Sequence, residues 1–165
     1  MRVAMVFCHP VPTSFCASVR DAVESALDRH EVRRVDLYDG ADLPRSFADD
    51  DFELLSWARA VVLIYPTWWG TLPAPLMGWI EDGLEREAWA GLERVVAVTT
   101  HGSSRFVNRL SGGTGRRIVM RGLPLQMALG ASGRFIALYS MDTIDDDDRQ
   151  RFLDSLPDQL HRALA

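Results

Sequence analysis

Only two cysteines, Cys8 and Cys16, occur in the 165 residues, too few for a disulfide framework. A reducing cytoplasm is therefore the expected setting. Neither GxGxxG nor GxxxxGK followed by Ser or Thr is present, so the usual dinucleotide and P-loop readings lose their main support. No apolar run approaches the roughly 20 residues that cross a bilayer, and membrane insertion is not expected. The opening "MRVAMVFCHP" lacks the length and cleavage site of a signal peptide. Net charge is -5, which argues against a nucleic-acid surface with its basic stripe. His9, His30, His101 and His161 are scattered without metal-ligand spacing, so no metal is expected. There is no internal repeat, low-complexity tract or composition shift, and residues 1–165 read as one domain.

Short apolar runs alternate with helical periodicity along the whole chain. "RVAMVFC" (2–8), "EVRRVDLY" (31–38), "AVVLIY" (60–65), "RVVAVTT" (94–100) and "GRFIALYSM" (133–141) read as five strands. Helices are expected over 14–29, through "FELLSWAR", over "APLMGWIEDGLERE", over "RRIVMRG" and, interrupted or kinked at Pro157, over the last 23 residues. Residues 39–53 and "HGSSRFVNRLSGGTG" (101–115) read as loops. Three strands are apolar without alternation, as happens when helices cover both faces of a parallel sheet. The pattern predicts an α/β fold: a doubly wound five-stranded parallel sheet with helices on both faces.

In such a sheet ligands bind beyond the carboxyl ends of the strands. Three of those ends carry unusual chemistry. In "CHPVPTSFCAS", Thr13 and Ser14 stand at a helix start, where they either cap the helix or join its N–H groups in holding a phosphate. In "YPTWWG", Trp68 and Trp69 follow the most apolar strand, with Pro66, Gly70 and Pro73 around them. They form either a flat wall for a planar ligand or a packed interface. In "TTHGSS", Gly102 allows close backbone approach. His101 is there either a donor, acceptor or proton carrier near neutral pH, or a solvent-facing turn residue. Taken together, the three loops suit a phosphorylated planar molecule.

"HPVPTSF", "YPTWWGTLPAPLMGWIEDG" and "TTHGSS" resemble the flavodoxin-like NAD(P)H:quinone oxidoreductases. That group includes DT-diaphorase-type enzymes, bacterial modulators of drug activity and the ancillary flavoproteins of potassium-efflux systems. The resemblance covers nearly the whole chain by order of elements. It implies a flavodoxin-like fold, a bound flavin and a homodimer with the site at its interface. It also implies hydride transfer from NAD(P)H through the flavin to a small-molecule electron acceptor such as a quinone. FMN is expected rather than FAD, because the short chain shows no extra segment for an adenine half. By position, His9, Thr13, Ser14, Phe15 and Cys16 would hold the flavin phosphate and ribityl chain. Pro66, Thr67, Trp68, Trp69 and Gly70 would line the ring system, and Thr99, Thr100, His101, Gly102 and Ser103 would close its other edge. A regulatory flavoprotein docking on a transporter, and a flavodoxin-type electron carrier, are the alternatives.

The chain departs from the family where T-T-G-G becomes Thr99-Thr100-His101-Gly102. A later Tyr and His, which relay charge in some relatives, are absent from "RFVNRLSGG", which leaves His101 as the one nearby catalytic candidate. Met77 stands where Lys is usual. The acidic 40–51 loop is expected to reach over the site. Arg105, Arg109, Arg116, Arg117 and Arg121 make their region locally basic, as solvated surface or as attraction for the phosphates of the nicotinamide cofactor. Cys8 and Cys16 read as buried packing residues. "DDDD" (145–148) and "ADDDFE" (48–53) read as acidic first turns of helices.

Overall fold

The computed structural model describes residues 1–39 and 43–165. Residues 40–42 of the acidic 40–51 loop lie outside the described residues, and with them that part of its expected reach over the site; Asp49, Asp50 and Asp51 at its end are helical. Five parallel strands, β1 (Arg2–Phe7), β2 (Glu31–Asp36), β3 (Ala60–Thr67), β4 (Arg94–His101) and β5 (Ser132–Leu138), lie in the order β2-β1-β3-β4-β5. The order reverses between β1 and β3, the switch point beside which sheets of this kind bind ligands.

The central strands are apolar throughout because both faces are covered. Val3, Met5 and Phe7 of β1, Ala60, Val62 and Ile64 of β3, and Val96 and Val98 of β4 join one core cluster. That cluster is closed by α1 (Phe15–Ala26) and α6 (Asp146–Leu164). Ala4 and Val6, Val61, Leu63 and Tyr65, and Val95 and Ala97 join the other, with Leu54 and Leu55 of α2 (Asp49–Trp57) and Leu76, Trp79 and Ile80 of α3 (Ala74–Glu85). The period of two along each strand sorts the side chains between the layers. The edge strand β2 exposes Arg33 and Arg34, which discourages pairing with another chain.

Four local features differ from the sequence reading. β3 does not stop at Tyr65 but runs to Thr67, with Tyr65, Pro66 and Thr67 opposite Thr99, Thr100 and His101. β1 has already ended there, at the Phe7–Ile64 pair, so the missing Pro66 N–H leaves no ladder bond unmade. The 101–115 segment is not all loop: Ser104 accepts the Val107 N–H (3.3 Å) and caps α4 (Arg105–Leu110). The next helix begins at Thr114 rather than Arg116, with α5 (Thr114–Arg117) leading into a π-turn (Ile118–Gly122). β5 crosses that turn so closely that a Cβ on Gly133 would overlap the Val119 carbonyl oxygen. Finally, α6 continues through Pro157 as one helix. Its Asp145 cap accepts the Asp148 N–H at 2.8 Å, which bears out the acidic first turn.

Candidate functional site

The loop after β1 ends where α1 starts. Ser14 caps the helix, with its hydroxyl 3.3 Å from the Ala17 N–H. The N–H groups of Thr13, Phe15 and Cys16 have no partner among the described residues. An uncommitted cluster of donors at the start of a 12-residue helix is the electrostatic setting that anions prefer. The Val11 N–H donates to His9 Nδ1 (3.0 Å), and the His9 ring stacks on Phe7. Burial lowers the His9 pKa, so the imidazole is neutral at pH 7. Cys8 and Cys16 are buried, and burial pushes both thiols up to about 12, which makes them inert packing groups as expected.

After β3 the chain makes a two-residue hairpin. Trp68 and Thr71 exchange both backbone bonds, N to O at 3.2 and 3.1 Å. Between them Trp69 (φ 52°) and Gly70 (φ 76°) both lie at positive φ, the signature of a type I′ turn. Glycine suits this position, but an indole does not: the left-handed region costs an L-residue roughly 1–2 kcal/mol. The Trp69 side chain recovers none of that inside this chain, since its exposure is 103%. A strained backbone that presents a fully exposed indole is a feature characteristic of functional edges.

The loop after β4 centres on His101, which is 5% exposed. Its bonding can be ordered from one fixed point. The Ser104 carbonyl only accepts, so the Asn108 group 3.3 Å from it is the amide NH₂, which also donates to Ser103 Oγ at 2.6 Å. Asn108 Oδ1 therefore accepts from His101 Nδ1 (3.0 Å), and Nε2 carries the lone pair. The Thr67 hydroxyl must then donate to Nε2 (3.2 Å) and accept from Thr99 (2.9 Å). The ring stacks on Tyr139, 4.5 Å between centroids. Burial pulls its pKa down to about 4, with the Asn108 bond opposing the fall. His101 does not face solvent; it donates to Asn108 and accepts from Thr67, and burial favours its neutral form near pH 7. Beside it, the N–H groups of Gly102 and Ser103 have no partner among the described residues.

A cleft of about 340 Å³ opens at the carboxyl ends of β3, β4 and β5. Thr67, Gly70 and His101 line it, so the second and third loops share one cavity, while the β1–α1 loop is not among its walls. Thr99, Thr100 and Cys16 are buried, so their side chains face packing rather than open space. The sequence reading missed Asn108, Phe135 and Tyr139. Asn108 sat in a segment read as loop; Phe135 sits on β5 and Tyr139 just after it, 34 and 38 residues beyond His101. Only the sheet brings them together.

The family described as having a flavodoxin-like fold matches residues 1–156 of the chain. The chain belongs to that family. It is similar to an NAD(P)H:quinone oxidoreductase from Methanothermobacter marburgensis: 22% identity, 96% of this chain and 93% of that one, TM-score 0.72. It is also similar to an FMN-dependent NADH-azoreductase from Bacillus anthracis solved with FMN: 12% identity, 98% of each chain, TM-score 0.72. At these identities the likeness establishes the shared fold. A ribosyldihydronicotinamide dehydrogenase-like protein of Penicillium crustosum is 30% identical over 114 residues, 49% of this chain and 43% of that protein. The match thus spans less than half of that curated relative.

Proposed function

We propose that the protein is a flavin-dependent NAD(P)H oxidoreductase of the quinone reductase type, with FMN as its cofactor. The observation that carries this reading is Trp69, an exposed indole on a strained turn between two sets of free backbone donors. The residues fit a flavin by the chemistry of those donors. The N–H groups of Thr13, Phe15 and Cys16, with the Thr13 and Ser14 hydroxyls, suit a phosphate monoester at the α1 start. Pro66, Thr67, Trp68, Trp69 and Gly70 supply a rigid, largely apolar wall for a planar ring. The unpartnered N–H groups of Gly102 and Ser103 suit the polar edge of such a ring, where they would stabilise negative charge.

A bound flavin supplies two-electron exchange between a nicotinamide donor and an acceptor, while the protein contributes binding, orientation and electrostatics. The part of His101 in this is positioning. Both ring nitrogens are engaged, and the neutral ring fixes the order of donation from Thr99 through Thr67 to Nε2 and from Nδ1 to Asn108. That order keeps the β3 and β4 ends rigid beside the ring wall. Names among the similar proteins, a quinone oxidoreductase and an FMN-dependent azoreductase, support the reading.

The protein acts as a homodimer in the cytoplasm on this reading. The exposed apolar residues Phe106, Val107 and Leu110 of α4, together with Trp68, supply the contact surface. No described helix is long and apolar enough to cross a membrane. Steady-state oxidation of NADH or NADPH by the purified, FMN-loaded protein with a quinone is expected to be catalytic. Absence of turnover with either nicotinamide would leave a regulatory or carrier flavoprotein in its place.

A further inference from the structure

Charge is segregated along this acidic chain. All 18 cationic residues are arginine, and none of the 23 acids lies between Glu93 and Asp142, a stretch that holds seven arginines. Four of those seven, Arg105, Arg109, Arg116 and Arg117, line the cleft beside His101. None of the four has a carboxylate partner among the described residues, whereas seven arginines elsewhere do. The two acids that bound this stretch, Glu93 and Asp142, are not walls of the cleft, and Asp142 packs beside Gly102. Arg105 and Arg109, four apart on α4, share a helix face. Their guanidinium groups have free planar forks suited to a carboxylate or sulfonate.

The floor is of a different kind. Tyr139 stacks on His101, and Phe135 lies 6.1 Å from the same imidazole, with the Arg116 guanidinium 5.8 Å from the Phe135 ring centre. An aromatic floor under a cationic rim selects a flat molecule with an acid group. The cavity, about 340 Å³, is at the small end of ligand pockets and takes one compact ring system rather than an extended dinucleotide.

We propose that this cleft binds the electron acceptor, and that the acceptor is a planar aromatic compound bearing a carboxylate or sulfonate held by Arg105 and Arg109. The inference rests on the oxidoreductase reading above and names the substrate class of that site. Thr67 and Gly70 belong both to the cleft and to the proposed ring wall, which puts the acceptor against the redox centre on this reading.

The test uses a redox-inert pair of one shape, 2-naphthoate and 2-naphthamide, titrated calorimetrically into the FMN-loaded protein. The naphthoate is expected to bind about tenfold tighter, the factor a single hydrogen bond to a charged group is worth. In R105Q/R109Q the ratio falls toward one. Arg121→Gln, an exposed cation that does not line the cleft, keeps the wild-type ratio. A wild-type ratio of one, a ratio unchanged in R105Q/R109Q, or an equal fall in R121Q overturns the proposal. So does a selective rise of the NADPH KM over the NADH KM in R105Q/R109Q with the naphthoate ratio intact, which would assign the arginines to the donor's phosphate. Turnover of wild-type protein with a neutral quinone checks the oxidoreductase reading separately, so its failure is distinguishable from loss of charge discrimination.

Discussion

Trp69→Asn is expected to make the flavin-free protein more stable while making it a worse flavin binder. The indole sits at φ 52° and buries nothing, so truncation removes no core contact. The Trp68–Thr71 backbone bonds and the positive φ of Gly70 are independent of the side chain. The substitution creates the Asn-Gly pair that type I′ turns favour. Relief of most of the left-handed penalty is worth about 1 kcal/mol. For a domain of this size that raises Tm by ~2–4 °C. The assay is thermal unfolding of flavin-free wild-type and variant protein at one fixed concentration, since bound ligand and association both shift Tm. FMN titration of the same samples should show affinity weakened about tenfold, from the loss of an aromatic wall. A Tm equal to or below wild type would refute the argument, because Trp69 would then be stabilising the fold rather than serving a ligand.

The remaining predictions concern both rings and the network behind them. Trp69→Ala should weaken FMN retention more than Trp68→Ala, read by dialysis and absorbance; the reverse order would mean the rings are assigned wrongly. The His101 pKa of about 4 in the fold, against 6.5 when unfolded, means that the unfolded chain binds the extra proton between those values. Stability should therefore rise from pH 4 to 6.5 by on the order of 3 kcal/mol and level off above, with a shallower slope in His101→Gln. Identical slopes in urea melts would contradict that. Asn108→Asp puts a carboxylate against Nδ1–H and should raise the His101 pKa, followed by imidazole NMR; an unchanged titration would break the deduced bond order. Gly133→Ala should cost more than about 3 kcal/mol or abolish folding, because backbone atoms occupy the Cβ position. Gly78→Ala, with nothing within 4 Å of the added carbon, should gain about 0.5–1 kcal/mol in the same melts.

The succession of strands and helices and the covering of both sheet faces were legible because continuous apolar runs and helical periodicity are local signals. Val61 and Val62 read alike in sequence and fall into opposite cores. The same locality explains what was missed. Pro66 reads as a strand breaker, yet its tolerance depends on β1 ending two residues earlier, at the Phe7–Ile64 pair. The six-residue α4 is hidden among Gly and Ser, and only the Ser104 cap and the Asn108 contacts reveal it. His101 was picked out from its loop, but its neutrality comes from burial against Tyr139, a contact that sequence spacing does not encode. The arginine cluster was visible as composition; its freedom from carboxylates in space was not.

The central claim is that the carboxyl edge of this sheet is a flavin site. The most direct measurement is heat release of the cofactor from purified protein, with chromatographic identification and quantitation against chain concentration. The account predicts FMN, approaching one per chain after reconstitution. A colourless protein that takes up neither FMN nor FAD would contradict it.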